Sequence, residues 1–274
     1  MSITSFFEGI DSFSKIRPGT VWLVGAGPGD PGLITLHGMN ALRQADVVLT
    51  DSLVNRELLK LVPDGAKIIH IGKRGGRPSP TQQTVSDQII DAAKANKRVV
   101  RLKGGDPFTF GRGVQEAVDL ANAGIPCTVV PGISAGIGGL ATAGIPITHG
   151  PVNQSVSFIS GYGPDGQLPD NVDWDAAGRN NAALVLFMAM RPLARVMQKL
   201  MDHGRAPDTP VALVRNATLP DQRVLETTIA RAAKDAEAAQ MTSPVIICIG
   251  DTVLLRQKIV AVGSVAPGDA GDNS

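Results

Sequence analysis

Five short apolar runs, each ending in a small or turn-forming residue and separated from the next by a helical pattern, limit what this chain can fold into. They are VWLVGAG (21–27), DVVLTD (46–51), KIIHIG (67–72), RVVRLKGG (98–105) and PCTVVPG (126–132). A strand that is apolar along its whole length is buried on both faces. Such strands alternating with helices build a mostly parallel sheet covered on both sides. One intervening helix is marked by Ser79-Pro80-Thr81-Gln82, read as a cap, a first-turn proline and a Gln three residues after the cap. Val85, Ile89, Ala92 and Ala93 then recur on one face.

A second series follows: SVSFIS (155–160), AALVLFMAM (182–190), PVALVRNA (210–217), RVLETT (223–228) and PVIICIG (244–250). Between the series, residues 133–148 are small and Gly-rich, as a junction of two close-packed units would be. The expected organisation is therefore a mobile leader (1–19), an α/β domain (20–132) with a mostly parallel sheet, a second α/β domain (133–262) with a mixed sheet, and a disordered tail (263–274). The net charge is +1, which gives no reason to expect nucleic acid or anionic lipid as partner. MSITSFFEGIDSFSK lacks a basic start and a long apolar stretch, and no run approaches the roughly 18 apolar residues of a membrane span, so a soluble cytoplasmic protein is expected. Cys127 and Cys248 show no ligand spacing and read as independent buried thiols, with no metal expected.

Two glycine loops carry the chemistry. Gly25-Ala26-Gly27-Pro28-Gly29-Asp30 follows the first strand and imitates a dinucleotide fingerprint, with Asp51 placed near where a ribose-binding acid would sit. Asp30 holds the sixth position in place of Gly or Ala, Pro28 and Pro31 disfavour a helix start there, and a carboxylate repels a pyrophosphate. Lys103-Gly104-Gly105-Asp106-Pro107 ends the fourth strand without the Gly-Lys-Ser/Thr of a phosphate cradle. A ligand with hydroxyls, an amino group and positive charge suits these loops better than one with phosphates.

The ordered segments GAGPGDPGLIT (25–35), Asp51-Ser52-Leu53-Val54, Gly72-Lys73-Arg74, TQQTVSDQI (81–89), RLKGGDPFTFGRG (101–113), PGISAGIG (131–138) and AGIPITHG (143–150) resemble the uroporphyrinogen III C-methyltransferase family. The resemblance implies two α/β domains with S-adenosylmethionine in the cleft between them, in a homodimer. It assigns cofactor contacts to Pro28, Gly104, Gly105, Asp106, Thr109, Ser134, Ala135, Met188 and Ala217, and acid/base roles to Asp51 and Lys73. The substrate it implies, uroporphyrinogen III, carries eight carboxylates and is methylated at carbons 2 and 7. Arg112 is then a candidate carboxylate clamp, as is the Lys73-Arg74-Arg77 cluster. The sequence departs from the family pattern at Thr50-Asp51-Ser52, Val114 and Ala189, none of which removes a presumed catalytic group. The extra dinucleotide-binding domain of multifunctional sirohaem synthases is not seen, so oxidation and metal insertion are not expected.

Overall fold

The computed structural model describes residues 13–71, 81–163, 168–179 and 182–260. The chain falls into two compact units that part between Ser134 and Ala135. In the first, β1 (Val21–Gly25), β2 (Val47–Asp51), β3 (Lys67–Ile71), β4 (Val99–Lys103) and β5 (Cys127–Val130) form one all-parallel sheet in the order β3-β2-β4-β1-β5. Trp22, Val24, Val48, Val100 and Leu102 pack on the face covered by α1 (Leu36–Gln44). Val21, Leu23, Leu49 and Val99 pack on the other, under α2 (Gln82–Lys94) and α3 (Gly113–Asn122). Both faces of the central strands β1, β2 and β4 are thus buried, which is why these strands read as largely apolar runs.

Helix starts follow local capping. The Thr35 hydroxyl accepts from Gly38 N (3.1 Å) at the start of α1. At α2 the cap is Thr81, whose hydroxyl accepts from Thr84 N (3.1 Å), and Gln82 is the first helical residue. The expected cap at Ser79 is therefore displaced by two residues: Thr81 satisfies an orphan amide of the first turn itself, and Ser79 and Pro80 lie outside the described residues. Part of the expected leader is also held down. Ile16 is buried in the α1 face, its N–H donates to Gln44 Oε1 (3.1 Å), and Asn40 Nδ2 donates to Ser14 O (3.1 Å). Residues 1–12 and 261–274 lie outside the description.

The second unit holds β6 (Val156–Ser160), β7 (Ala183–Phe187), β8 (Pro210–Arg215), β9 (Arg223–Thr228) and β10 (Val245–Ile249) in the order β6-β7-β10-β8-β9. Only β6 and β7 pair in parallel, so this sheet is mixed. One face, including Leu184, Leu213 and Ile247, packs on α4 (Trp174–Arg179), α5 (Leu193–Asp202) and α6 (Ala232–Ala238). The other, with Val185, Val214 and Cys248, packs on Leu140 and Ile145. A π-helical turn, Ala135–Gly139, leads into Leu140–Thr142 at the head of the unit. Cys248 is buried as expected, whereas Cys127 is only half-buried at the sheet's edge strand. Burial raises their thiols to about 12 and about 11, so neither is a thiolate at neutral pH. Among the described residues no helix is long and apolar enough to cross a membrane.

Candidate functional site

Because all five strands of the first sheet are parallel, the loops after β1, β2 and β4 leave from one edge, where open α/β sheets bind ligands. The two glycine loops are joined there. Ala26 N donates to Lys103 O (2.7 Å), Gly27 N to Gly105 O (3.2 Å) and Gly105 N to Gly27 O (2.8 Å). The chain beyond β5 closes on the same point: a Cβ on Gly132 would lie 2.2 Å from Gly105 O and 2.6 Å from Gly25 Cα. Only glycine permits this approach of three backbones. Gly132→Ala is expected to destabilise the fold by about 1–3 kcal/mol through overpacking, measured by chemical denaturation.

The loop side chains mostly brace the loops themselves. Asp30 Oδ1 accepts from Gly32 N (2.7 Å) and caps the 3₁₀ turn Pro31–Leu33, and Asn55 Nδ2 donates to Gly29 O (2.9 Å) beside the half-buried Pro28. Asp106 Oδ1 accepts from Phe108 N (2.9 Å) and Thr109 Oγ1 (3.1 Å), while its Oδ2 accepts from Gly132 N (3.1 Å). Asp106, braced by Thr109, thus ties the second loop to the chain beyond β5, and a carboxylate has lone pairs left for a further donor. Gly105 spends both its amide groups on Gly27. Gly104 has the open flank: a Cβ there would meet only Leu53 Cβ, at 3.6 Å.

Asp51 ends β2 half-exposed, and beneath it lies a charged cluster that sequence reading did not single out. Arg101 Nη2 donates to Asp51 Oδ1 (2.5 Å) and Arg101 Nε to Glu116 Oε1 (3.0 Å). Lys103 Nζ donates to both Glu116 oxygens (3.0 and 3.2 Å), and Gln82 Nε2 adds a bond to Oε1 (3.2 Å). Arg101 is 3% exposed and Lys103 and Glu116 1% each. Burial pushes the Lys103 ammonium below the usual lysine range, and neighbouring Arg101 adds to this while Asp51 and Glu116 oppose it. The signal was present in outline. Arg101 and Lys103 alternate in an otherwise apolar strand, and Glu116 shares a helix face with the buried Gly113 and Leu120. With Lys103 bound to Glu116, the ammonium beside the second loop cannot serve as a phosphate clamp. Lys73, Arg74 and Arg77 lie outside the described residues.

Backbone strain gathers at the motif segments. Seven non-glycine residues among those described have positive φ. Asn96 and Gln240 follow the ends of α2 and α6, a usual place for it. The other five are Phe110, Arg112, Met188, Asn216 and Thr218. Such residues cost on the order of 1–3 kcal/mol each and persist where the surroundings demand them. Arg112 is exposed at φ 58° as the residue before α3, with no side-chain capping bond. In the second unit, Met188 follows β7 at φ 55° and is 49% exposed. Ala217 is buried, and a Cβ on Gly139 would lie 2.8 Å from its own Cβ. Ala135 opens the π-helical turn, directly after the buried Ser134 that ends the first unit. Pro28, Asp51, Gly104, Gly105, Asp106 and Thr109 are thus gathered at one sheet edge of the first unit. Among the described residues no three His, Cys, Asp or Glu side chains are grouped to hold a metal ion.

Comparison with known proteins gives concordant results. The family described as Tetrapyrrole (Corrin/Porphyrin) Methylases matches residues 20–233. A Sinorhizobium protein named uroporphyrinogen-III C-methyltransferase is 49% identical over 263 residues, 96% of this chain and 93% of that protein. Siroheme synthase of Hahella chejuensis is 46% identical over 88% of this chain, which spans only 51% of that longer protein. Among solved structures, uroporphyrin-III C-methyl transferase from Thermus thermophilus, complexed with S-adenyl homocysteine, matches with a TM-score of 0.74 and 33% identity, covering 86% of this chain and 99% of that one.

Proposed function

The chain belongs to the tetrapyrrole (corrin/porphyrin) methylase family, and from that membership we propose an S-adenosylmethionine-dependent C-methyltransferase acting on uroporphyrinogen III. Carbons 2 and 7 receive the methyl groups, giving precorrin-2 and S-adenosylhomocysteine. The nearly full-length likeness to a relative of that name carries the reading. The loops of the first unit fit the cofactor: an open flank at Gly104 and a loop pair whose ammonium, Lys103, is already bound to a carboxylate. Such a set suits a cationic nucleoside better than a polyphosphate.

When bound, S-adenosylmethionine supplies an electrophilic methyl group on its sulfonium. Pro28, Gly104, Gly105, Asp106 and Thr109 from the first unit and Ser134, Ala135, Met188 and Ala217 along the rest of the motif series are the residues assigned to hold it. Asp51 is assigned as the base that removes a bridge-carbon proton after attack by the pyrrole carbon. Arg101 occupies its Oδ1, and Oδ2 has no hydrogen-bond partner among the described residues. Lys73 keeps the acid/base role that the family motif gives it. Holding the two reacting carbons in line, away from water, supplies much of the remaining rate. The reading extends to a homodimer working in the cytoplasm, with no nucleic-acid or membrane partner.

Arg112 is assigned to a substrate carboxylate, a charge-assisted bond of about 1.5–3 kcal/mol. Arg112→Gly is therefore expected to raise KM for the tetrapyrrole by roughly 10- to 100-fold. Its stability should not fall below the parent's, because glycine accepts φ 58° without strain. Steady-state kinetics beside chemical denaturation test both halves. The whole reading is tested by mass spectrometry after anaerobic incubation with uroporphyrinogen III and S-adenosylmethionine. Two successive methyl additions are expected. Cofactor-bound protein that methylates another precorrin and leaves uroporphyrinogen III untouched would overturn it.

A further inference from the structure

The structure assigns a second ligand site, for a small multivalent oxyanion, to a cavity of about 680 Å³ in the second unit. Its walls carry three guanidinium groups, Arg191, Arg215 and Arg223, against one carboxylate, Glu237. Arg215 and Arg223 are direct partners across the antiparallel β8–β9 pair. Two like charges placed so repel each other, which is unfavourable unless an anion stands between them. Strand alternation fixes where they point: Leu213 and Leu225, two residues away, pack on the face covered by α5 and α6, so Arg215 and Arg223 share that face.

Among the described residues none of the three arginines forms an ion pair. Arg223 Nη2 donates to a backbone oxygen, Ala239 O (3.0 Å), and Arg215 Nε is buried without an acceptor. A guanidinium fork matches a carboxylate or a phosphate, which accept two parallel bonds. The ten-residue α5 begins in the same wall, at Leu193 and Ala194, with no side-chain cap at Pro192. Its positive end adds to the attraction for an anion.

The cavity lies on the other face of the sheet from Ala217 and the Ala135–Gly139 turn. Leu193, Ala236 and Met241 on its wall belong to the core under α5 and α6, whereas Ala217 and the Ala135–Gly139 turn pack on the opposite face of the sheet. The inference does not rest on the proposed activity. A recess of this size, open to solvent, admits a small soluble anion of two or more charges, with phosphate or carboxylate oxygens.

Thermal unfolding and calorimetric titration of the full chain at fixed ionic strength test it, with pyrophosphate, propane-1,2,3-tricarboxylate and chloride as probes. At least one of the two multivalent probes should raise Tm saturably where chloride does not, and whichever acts identifies the oxygen chemistry. Arg215→Gln/Arg223→Gln should weaken that binding at least tenfold, while Arg112→Ala retains the parent Kd and so excludes the substrate site. Should the double variant fail to fold, the exposed Arg191→Gln must still weaken binding several-fold. Equal shifts with chloride, or parent Kd values in the variants that fold, overturn the site.

Discussion

Asp51→Asn is expected to lower turnover by about 10²- to 10⁴-fold, the usual worth of a positioned base, with little change in cofactor affinity. The amide has the same shape as the carboxylate and its oxygen can still accept from Arg101 Nη2, so the bond that fixes residue 51 survives. What is lost is an oxygen able to take up a proton. Single-turnover methylation, read by mass spectrometry, should slow by that factor while S-adenosylhomocysteine binds with its parent Kd. Because the side chain is half-exposed at the end of β2, the substitution should hardly change stability. Parent-like turnover would place the base elsewhere, Lys73 being the next residue to substitute.

Glu116→Ala should strongly damage the fold, costing about 3–5 kcal/mol, because it leaves buried charge without a partner. Arg101 loses its Nε acceptor, and Lys103 loses both of its acceptors while having almost no contact with water. Burial already pushes the Lys103 ammonium toward its neutral form, and removing the nearest carboxylate removes one of the charges that oppose this. Chemical denaturation of the variant beside Glu116→Gln separates charge from hydrogen bonding, since the amide keeps an acceptor and should lose less. The triple change Arg101→Met/Lys103→Met/Glu116→Leu should recover most of the stability, as apolar replacement of a buried ion network usually does. It should not recover turnover, because Asp51 then has no guanidinium to fix its Oδ1. A triple variant with parent turnover would show that the network serves stability alone.

Local rules made much of this protein readable from its residues. The central strands of the first sheet were legible because parallel strands covered on both sides are buried on both faces, which leaves a largely apolar run in the sequence. Asp30 and the absent Lys-Ser/Thr pair turned the reading away from dinucleotides and polyphosphates, since both depend on the charge and shape of a few neighbouring residues. The motif order pointed to the family to which the chain belongs. The cap of α2 was misplaced by two residues because Ser79 and Thr81 are equally good caps in isolation.

What needed the tertiary structure was every pairing between distant residues. Arg101 and Asp51 are 50 residues apart, and Lys103 and Glu116 13 apart. Only the neighbouring of β2 and β4, and the packing of α3 against β4's face, makes them one network. The bond between Gly27 and Gly105 depends in the same way on β1 lying beside β4. Arg215 and Arg223 become a single charged site only through the register of β8 on β9. Burial and hairpin-register electrostatics act through space, whereas periodicity, capping and turn chemistry act along the chain. The sequence by itself therefore determined the strands, the glycine loops and the family. The structure decided which charges meet, which are buried, and which are left without a partner.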